Sequence, residues 1–344
     1  MKPKLLVGNL YKDALINPLF DGTLGLNKLL IVSGYATAAM ASRHVTDFVE
    51  KEKRVHIDLL YGMAKKDGIL RSVHLGFNKI ASSNNNPNCK FTCSYIAEGE
   101  PVHAKIYIWC KDDQPVLAFT GSANYTESAF ICSWRKEVLT ETNPIHASEF
   151  FNSLKRDAIC CSDPSVTDRF KILLKENKAL LDEDVANANA IDGVQRIVDA
   201  DSQFYGLDKA TVSLVDRRGR VPERSNLNWG QRPEYNRDKN QAYLALRGAI
   251  KSSNFFPPRG VHFTVLTDDN HSMQCVRAQE QDKAIHTPHD NAELGRYFRK
   301  RLGLVSGALV TAADLNRYGR TTVDFYKIDA ENYYMDFSRP QQTI

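Results

Sequence analysis

Residues 102–137 read VHAKIYIWCKDDQPVLAFTGSANYTESAFICSWRKE, and this stretch decides the fold of the N-terminal half and the site expected on it. The apolar, β-branched and aromatic run from Ile106 to Trp109 predicts a strand. His103 and Lys105 are two residues apart, so the imidazole and the ammonium group point to the same face of that strand. A turn leads to a second apolar run that ends in the segment GSAN, residues 121–124. The glycine there lets backbone N–H groups approach an anion closely, so the stretch predicts a phosphate-handling site.

Three further side chains complete this predicted site. Ser122 and Asn124 are again two residues apart, and both can donate hydrogen bonds to an anion. Glu137 begins a third β-like run, and its carboxylate can hold a histidine in place. An isolated H-x-K more often lies on a solvated strand face, and a Gly-Ser pair is more often only a turn. The ordered set favours function, and none of the other eight histidines is followed two residues later by lysine.

These motifs resemble the signature of the phospholipase D superfamily, which combines H-x-K-x4-D with a later G-S-x-N-like segment. The resemblance implies phosphodiester chemistry. One departure stands out, because the aspartate expected five residues after the lysine is Cys110, and the acidic pair Asp112-Asp113 follows it. In the family that aspartate is mostly structural, so its loss affects the motif more than the chemistry. The catalytic residues that the resemblance implies are His103, Lys105, Ser122, Asn124 and Glu137.

The bulk composition is that of a globular protein. The 344 residues are 42% hydrophobic and 25% charged, which suits about two domains with separate cores. The net charge of +4 is small, so a nucleic-acid surface would need local clustering of cations. The sequence predicts neither a secretory signal nor a membrane-spanning helix, and the seven cysteines are expected to be reduced thiols of a cytoplasmic protein. Their spacing does not suit zinc, so no metal site is expected.

Strand-like runs at residues 28–33, 55–61 and 90–96 alternate with helix-like stretches in the first half. This alternation predicts an α/β domain, a mixed sheet with flanking helices, over residues 1–178. From Val166 onward the sequence is typical of a helix that includes Ile172 and Leu173. A polar, Asn/Ala/Asp-rich linker is expected at residues 179–200.

Short β-like runs separated by turn residues recur in the second half, residues 201–344. They predict a mostly-β, barrel-like domain with one helix, Asn291–Leu302, capped by Asn291 and ended by Gly303. The predicted strands are Thr211–Val215, Ala242–Leu246, Val261–Thr267, Met273–Ala278, Gly307–Thr311 and Thr322–Lys327.

Two polar segments of this half have a composition that suits DNA-contacting arms and solvated loops equally well. The segment Asp216–Lys239 holds seven Lys or Arg against four Asp or Glu, and Asp268–Arg277 suits a hairpin tip with both charges. Arg, Asn and Gln read guanine and adenine edges, and Asp accepts from cytosine. The candidate DNA-binding residues are Arg224, Asn226, Asn228, Gln231, Arg232, Asp269, Asn270, His271 and Arg277.

The whole chain is similar to the NgoFVII/NgoAVII type of restriction endonuclease, on the residues Ser225–Arg232 and Val276–Leu304. In that type a phospholipase D-like nuclease domain with one motif precedes a B3-like pseudobarrel, related to domains of plant transcription factors and of the BfiI endonuclease. B3 domains grip the major groove with two β arms, and the two polar segments are interpreted as those arms. The resemblance implies a bacterial, cytoplasmic enzyme that recognises and cuts double-stranded DNA.

The resemblance also implies a mechanism without cofactors. One histidine attacks phosphorus to give a phosphohistidine, and a second, protonated histidine serves the leaving oxygen. This chain has one H-x-K, so a homodimer is expected, with His103 of each subunit at the interface. Lysines and imidazoles carry the positive charge, so no metal ion is needed, and the chain lacks the Asp/Glu cluster typical of Mg²⁺ nucleases. Any ATP-driven translocase would be a partner protein, since the chain has no G-x4-G-K-[S/T] loop.

Two alternatives remain open at this point. A phospholipase or another phosphodiesterase would need an interfacial surface, and the chain has no amphipathic basic helix. A sequence-specific DNA-binding protein with a vestigial nuclease site is kept open by Cys110. Salt-sensitive DNA affinity without nicking would identify the second, and release of a lipid headgroup the first.

Overall fold

A mixed eight-stranded sheet organises the N-terminal domain in the computed structural model, which describes residues 3–83, 88–175 and 200–340. In chain order the strands of this domain are β1 Leu5–Leu6, β2 Lys28–Ser33, β3 Val55–Tyr61, β4 Ile69–Leu70, β5 Cys89–Ile96, β6 Lys105–Lys111, β7 Gln114–Gly121, β8 Leu139–Thr142, β9 Ala158–Cys160 and β10 Ile172–Leu173. The sheet order is β1-β8-β7-β6-β2-β3-β5-β9, and β4 pairs with β10 separately. Among the described residues, the parallel strand pairs of the large sheet are β2 with β3 and β3 with β5.

Helices cover both faces of this sheet. They are α1 Asn17–Phe20, α2 Ala38–Glu50, α3 Ala64–Asp67, α4 Arg71–Ser82, α5 Glu127–Phe130, α6 Pro144–Lys155 and α7 Val166–Arg169, with a π-helical turn at Tyr11–Ile16. Successive residues of β2 alternate between two cores, as the pleat requires. Leu29 and Ile31 pack with α2 and α4 in the larger core, whereas Leu30 and Val32 pack with α6 in the smaller one.

The C-terminal domain is a seven-stranded sheet that nearly closes into a barrel. Its strands are β11 Lys209–Ser213, β12 Leu244–Ala245, β13 His262–Thr267, β14 Ser272–Ala278, β15 Ala284–His286, β16 Thr322–Lys327 and β17 Asn332–Asp336. Their order is β11-β16-β17-β13-β14-β15-β12, and the two end strands also lie against each other. The helices are α8 Ala200–Gln203, α9 Gly248–Ser252, α10 Glu293–Leu302 and α11 Ala312–Tyr318, with 3₁₀ turns at Asn226–Asn228, Pro233–Tyr235 and Glu280–Asp282.

This architecture confirms the predicted α/β domain followed by a strand-rich pseudobarrel. Three local predictions were wrong. Ile172 and Leu173 form β10, because they pair with β4 in parallel instead of continuing a helix. Residues 307–311 are not a strand, since Gly307 takes a positive φ and Thr311 caps α11. Asn291 does not cap α10, because its Oδ1 pairs with Nδ1 of His286. The predicted linker and the boundary before it lie outside the described residues, except for Ala200.

The two domains pack directly on each other, with α2 and α4 of the first against β13 and β14 of the second. Polar contacts cross this interface, including Ser72 Oγ to Asn332 Oδ1 at 2.7 Å and the ion pair between Lys79 and Glu293. No helix of the described ranges has the length and apolar character needed to cross a bilayer.

Candidate phosphodiesterase site and DNA-binding surface

Strand β6 and two glycines place the exposed His103 just before the first residue of this central strand, beside the end of β2. Lys105, the first residue of β6, pairs with Ser33 at the end of β2, and Gly34 donates from its backbone N to Ala104 O at 3.0 Å. A Cβ at Gly34 would come within 2.8 Å of His103 Cδ2. A Cβ at Gly62 would come within 1.9 Å of the Val102 carbonyl oxygen. Both positions therefore need glycine for residues 102–104 to pass so close.

His103 and Lys105 touch, as their spacing predicted. Lys105 Nζ lies 3.1 Å from each ring nitrogen of His103 and donates to the His103 carbonyl oxygen at 2.6 Å. The imidazole is exposed to solvent, whereas the lysine side chain is almost buried. Burial lowers the pKa of Lys105, and the Glu137 carboxylate opposes this shift. The structure therefore brings the ammonium group of Lys105 against the imidazole of His103.

The GSAN segment follows β7 and lies beside this pair. Gly121 pairs with Leu139 of β8, and a Cβ there would come within 2.1 Å of the Val138 carbonyl oxygen. Asn124 Oδ1 accepts from the Tyr35 backbone N at 3.2 Å, so the amide nitrogen is the atom left to donate to a ligand. The Tyr35 ring contacts His103 edge-on, with 5.7 Å between ring centroids. Tyr35 thus connects the asparagine to the histidine.

Glu137 lies in the site, but its partner differs from the predicted one. Its Oε2 accepts from Ser122 Oγ, and Ser122 Oγ in turn accepts from the Val138 backbone N at 3.1 Å. The prediction that Glu137 holds His103 therefore does not agree with the structure. The physical reason is the register of β7 and β8, which brings Ser122 next to the residue before β8. The carboxylate acts on the site by orienting Ser122 and by its charge near Lys105.

Cys110, at the position of the motif aspartate, lies at the other end of β6. Five residues of strand separate it from Lys105, or about 17 Å. Its side chain is fully buried in the core under α6, and burial raises the pKa of its thiol to about 11. Asp112 and Asp113 bind Asn27 and Lys28 in the turn before β7. The departure from the motif is thus remote from His103.

The first predicted arm is largely built into its own domain. The Asn226 amide donates to Leu214 O at 3.0 Å, and the Asn228 amide donates to Val310 O at 2.8 Å, with both side chains buried. Gln231 donates to Gly307 O at 2.9 Å. Asn226 and Asn228 therefore hold the loop instead of being free to read bases. Arg232 donates to Arg224 O, and the exposed Arg224 pairs with a neighbouring glutamate.

The tip of the second predicted arm lies beside the nuclease domain, although Asp269 and Asn270 are exposed. This tip, Asp269, Asn270 and His271, lines a cavity of about 800 Å³ between the domains, together with residues of α2 and α4. His271 Nε2 lies 3.2 Å from Glu293 Oε1, in the ion pair that Lys79 joins. Arg277 is buried and donates to Lys251 O at 2.9 Å. The packing of α2 and α4 on β14 explains this outcome, and no local sequence pattern reports it.

A basic surface that was not predicted from the sequence lies where three loops of the C-terminal domain converge. Arg247 donates to Val215 O at 2.7 Å, Lys251 donates to Gln281 at 2.9 Å, and Arg259 lies 4.0 Å from Asp282. We call this surface the basic end. Its seven cations, against Asp216, Glu280 and Asp282, are Arg217, Arg218, Arg220, Arg247, Lys251, Arg259 and Lys283. Only its first three arginines belonged to a predicted arm, because the others are dispersed along the chain.

Tyr35 and its neighbours were not among the predicted site residues. The signal was the Gly34-Tyr35 pair directly after a buried strand, a position where a backbone turn lines a site at a sheet edge. In the part of the chain that the structure describes, no group of three or more His, Cys, Asp or Glu side chains is arranged to hold a metal ion.

Comparison with known proteins gives two family matches. Residues 8–168 match the NgoFVII restriction endonuclease N-terminal PLD domain, where PLD denotes phospholipase D. Residues 203–329 match the NgoFVII C-terminal B3-like DNA-binding domain. No curated protein matches the sequence.

Solved structures similar to this chain cover about half of it. NucT from Helicobacter pylori is 16% identical, with a TM-score of 0.31, over 46% of this chain and 98% of that one. Nuc from Salmonella typhimurium, a phospholipase D family member, is 17% identical with a TM-score of 0.32 over the same shares. Polyphosphate kinase from Porphyromonas gingivalis is 15% identical, with a TM-score of 0.33, over 51% of this chain and 26% of that one.

Proposed function

Because the chain belongs to the NgoFVII restriction endonucleases, with a nuclease domain and a DNA-binding domain, we propose that it cuts DNA phosphodiesters without a metal ion, through a phosphohistidine on His103. The observation that carries the proposal is the exposed imidazole of His103 held by Lys105, with Ser122 and Asn124 beside it. These groups supply a nucleophile and hydrogen-bond donors for the phosphate oxygens.

The first step forms a P–N bond between His103 and phosphorus and breaks the P–O bond to the leaving oxygen. Lys105 and the amide of Asn124 stabilise the non-bridging oxygens, and Ser122, oriented by Glu137, assists them. A protonated histidine donates its proton to the leaving oxygen. In the second step that histidine, now neutral, takes a proton from water. The water oxygen attacks phosphorus, the P–N bond breaks, and His103 is released.

The second histidine is proposed to be His103 of a partner subunit. Two other histidines of the domain are committed elsewhere, since His44 and His74 are buried against Tyr125 and Tyr95. Apolar side chains are exposed around the site, as a subunit interface requires. Val138, next to Glu137, is 43% exposed, Trp134 is 57% exposed, and Val7 of the neighbouring edge is 66% exposed. A homodimer would bury them and bring the two His103 rings together.

The basic end is proposed as the surface that meets the DNA backbone at the recognition site. Seven cations against three carboxylates suit a polyanion, and the exposed side chains of Gln281 and Arg218 are of the types that read bases. A contact of Arg224 with DNA also stays a prediction. The buried Asn226, Asn228 and Arg277 serve the architecture of the arms instead of base contacts.

The test is incubation with mixed phage DNA in excess EDTA, followed by acid-quenched analysis for phosphate bound to protein. The variant His103→Ala is compared with His146→Ala, a control that removes an exposed histidine on α6. We expect discrete fragments in EDTA from the wild type and the control, no fragments from His103→Ala, and labelled phosphate trapped on the wild type.

Cleavage that needs Mg²⁺ and survives His103→Ala would refute the proposed site. If the wild type binds DNA but does not cut it, cell extract with ATP is added. Cutting that then appears, and that depends on His103, supports an ATP-driven partner, while continued silence supports a binding-only protein.

A further inference from the structure

Glu331 of the C-terminal domain is buried in the domain interface. The hydrogen-bond donors to its carboxylate all belong to the nuclease domain. Glu331 lies in the turn between β16 and β17 and is 4% exposed. Its Oε2 accepts from Thr37 Oγ1 at 2.6 Å and from the Glu127 backbone N at 3.0 Å. Its Oε1 accepts from the Ser128 backbone N at 2.7 Å and from Ser128 Oγ at 2.5 Å. Four donors to one carboxylate define its position closely.

These donors belong to the two backbone segments that support the site. Thr37 comes two residues after Tyr35, whose backbone N holds Asn124 and whose ring contacts His103. Glu127 comes three residues after Asn124. The segments meet directly, since Ala36 pairs with Tyr125 and Thr37 donates from its backbone N to Tyr125 O at 3.1 Å. Glu331 joins the segments a second time from the opposite domain.

A second contact reinforces the same place. Arg43 of α2 donates from Nε to Glu127 Oε1 at 2.6 Å and also binds the Gly260 carbonyl of the C-terminal domain. The Glu127 side chain, at 0% exposure, also accepts from the backbone N of His262 at 3.3 Å. The turn that follows Asn124 is therefore enclosed by the C-terminal domain on two sides.

We propose that Glu331 is a positioning residue of the nuclease site, and that through it the recognition domain holds Tyr35 and Asn124 in the arrangement that binds phosphate. The inference rests on the proposed function. It makes the recognition domain part of the catalytic apparatus, since a shift of the β16–β17 turn moves both segments together. Glu331 thereby links the recognition domain to the nuclease site through four hydrogen bonds.

The test compares Glu331→Gln with Lys79→Met in the full-length protein. Glutamine has the same shape, but its amide nitrogen replaces an oxygen that accepts two hydrogen bonds. That nitrogen is itself a donor, so it would face two other donors. Lys79→Met breaks another contact across the interface, to Glu293 and Ser272 O, away from the site segments. Two substrates are used, phage DNA and bis(4-nitrophenyl) phosphate, a small diester that needs no recognition domain. Melting temperature and DNA affinity by gel shift are measured for each variant.

We expect Glu331→Gln to lower kcat about 10- to 100-fold on both substrates, with DNA affinity within about twofold of the wild type. Lys79→Met should leave kcat on the small diester unchanged. Equal kcat values for Glu331→Gln and the wild type, or a loss confined to DNA, would overturn the inference while leaving the nuclease assignment intact. A wild type inactive on both substrates, with and without added cell extract and ATP, would overturn the assignment itself. If Glu331→Gln does not fold, Ser128→Ala is measured instead, because it removes one of the four donors. A lower kcat on the small diester supports the inference, and an unchanged kcat overturns it.

Discussion

Replacing Gly34 by alanine tests directly whether the position of His103 controls the reaction. Gly34 lies between β2 and Tyr35, and a Cβ on it would stand 2.8 Å from His103 Cδ2 and 3.2 Å from His103 Cα. Ordinary contacts of a Cβ begin at 3.4 Å, so the ring must retreat by at least 3.4 − 2.8 = 0.6 Å. The main chain of residue 103 must yield as well, so a change of rotamer alone cannot relieve the contact.

A displacement near 1 Å in a catalytic group lowers the rate by up to ~100-fold. We therefore expect Gly34→Ala to reduce kcat about 10- to 100-fold, with a loss of stability of about 1–3 kcal/mol from overpacking. The recognition surface lies in the other domain, so DNA affinity should not change. Gly22→Ala is the matched control, because nothing lies within 4 Å of a Cβ at that position.

The assay is single-turnover cleavage of a phage DNA that the wild type cuts, with stability measured by urea denaturation. A folded Gly34→Ala protein that keeps kcat within about twofold of the wild type would refute the placement of His103 against Gly34. A fall in kcat for Gly22→Ala as large as that for Gly34→Ala would show that alanine acts through general destabilisation.

Four further outcomes follow from named contacts. Lys105→Gln should lower kcat on bis(4-nitrophenyl) phosphate by ~100-fold or more, since it removes a charge from the phosphate site, and steady-state kinetics would show it. Cys110→Ala should lower the free energy of unfolding by about 1 kcal/mol in urea titrations but leave kcat unchanged, because the thiol is buried far from the site. Arg218→Ala with Arg220→Ala should reduce the slope of log K against log salt by up to about 2 in gel shifts, whereas an unchanged slope would remove them from the DNA interface. Burial lowers the pKa of His44 to about 4 from an ordinary 6.5. The free energy of unfolding therefore has its full value above pH 6.5 and decreases by about 3 kcal/mol as the pH falls toward 4, because the unfolded chain takes up a proton at His44 that the folded protein does not. In urea titrations at pH 6.5 and pH 4, His44→Gln should abolish this difference.

The fold of each half was predictable because its signals are local. The run Ile106–Trp109 is a strand, as its apolar, β-branched and aromatic residues predicted. The predicted strand Thr322–Lys327 agrees with the observed one residue for residue. The contact between His103 and Lys105 follows from a spacing of two residues on one extended segment, so no knowledge of the rest of the chain was needed.

The predictions that failed at the candidate DNA-binding arms concern burial or partners distant in sequence. Asn226 and Asn228 have the composition of a DNA-reading loop, yet they are buried because Leu214 and Val310 offer carbonyl groups there. The tip at Asn270 has the composition of a free arm, yet it faces α2 and α4. A polar side chain has the same local pattern in both situations, so only its surroundings distinguish a reader of bases from a structural amide.

By itself the sequence indicated a phosphate-handling site, since one H-x-K and one GSAN segment place imidazole, ammonium and amide groups at the same end of neighbouring strands. It also determined the order of the two domains, through the change from alternating helices and strands to closely spaced strands. Only the tertiary structure decided that Glu137 binds Ser122, that the basic end joins three loops, and that Glu331 reaches the backbone of Glu127, 204 residues away. Contacts of that kind depend on how the two folded domains pack, and hydrogen-bond geometry between them follows from the packing and not from any local pattern.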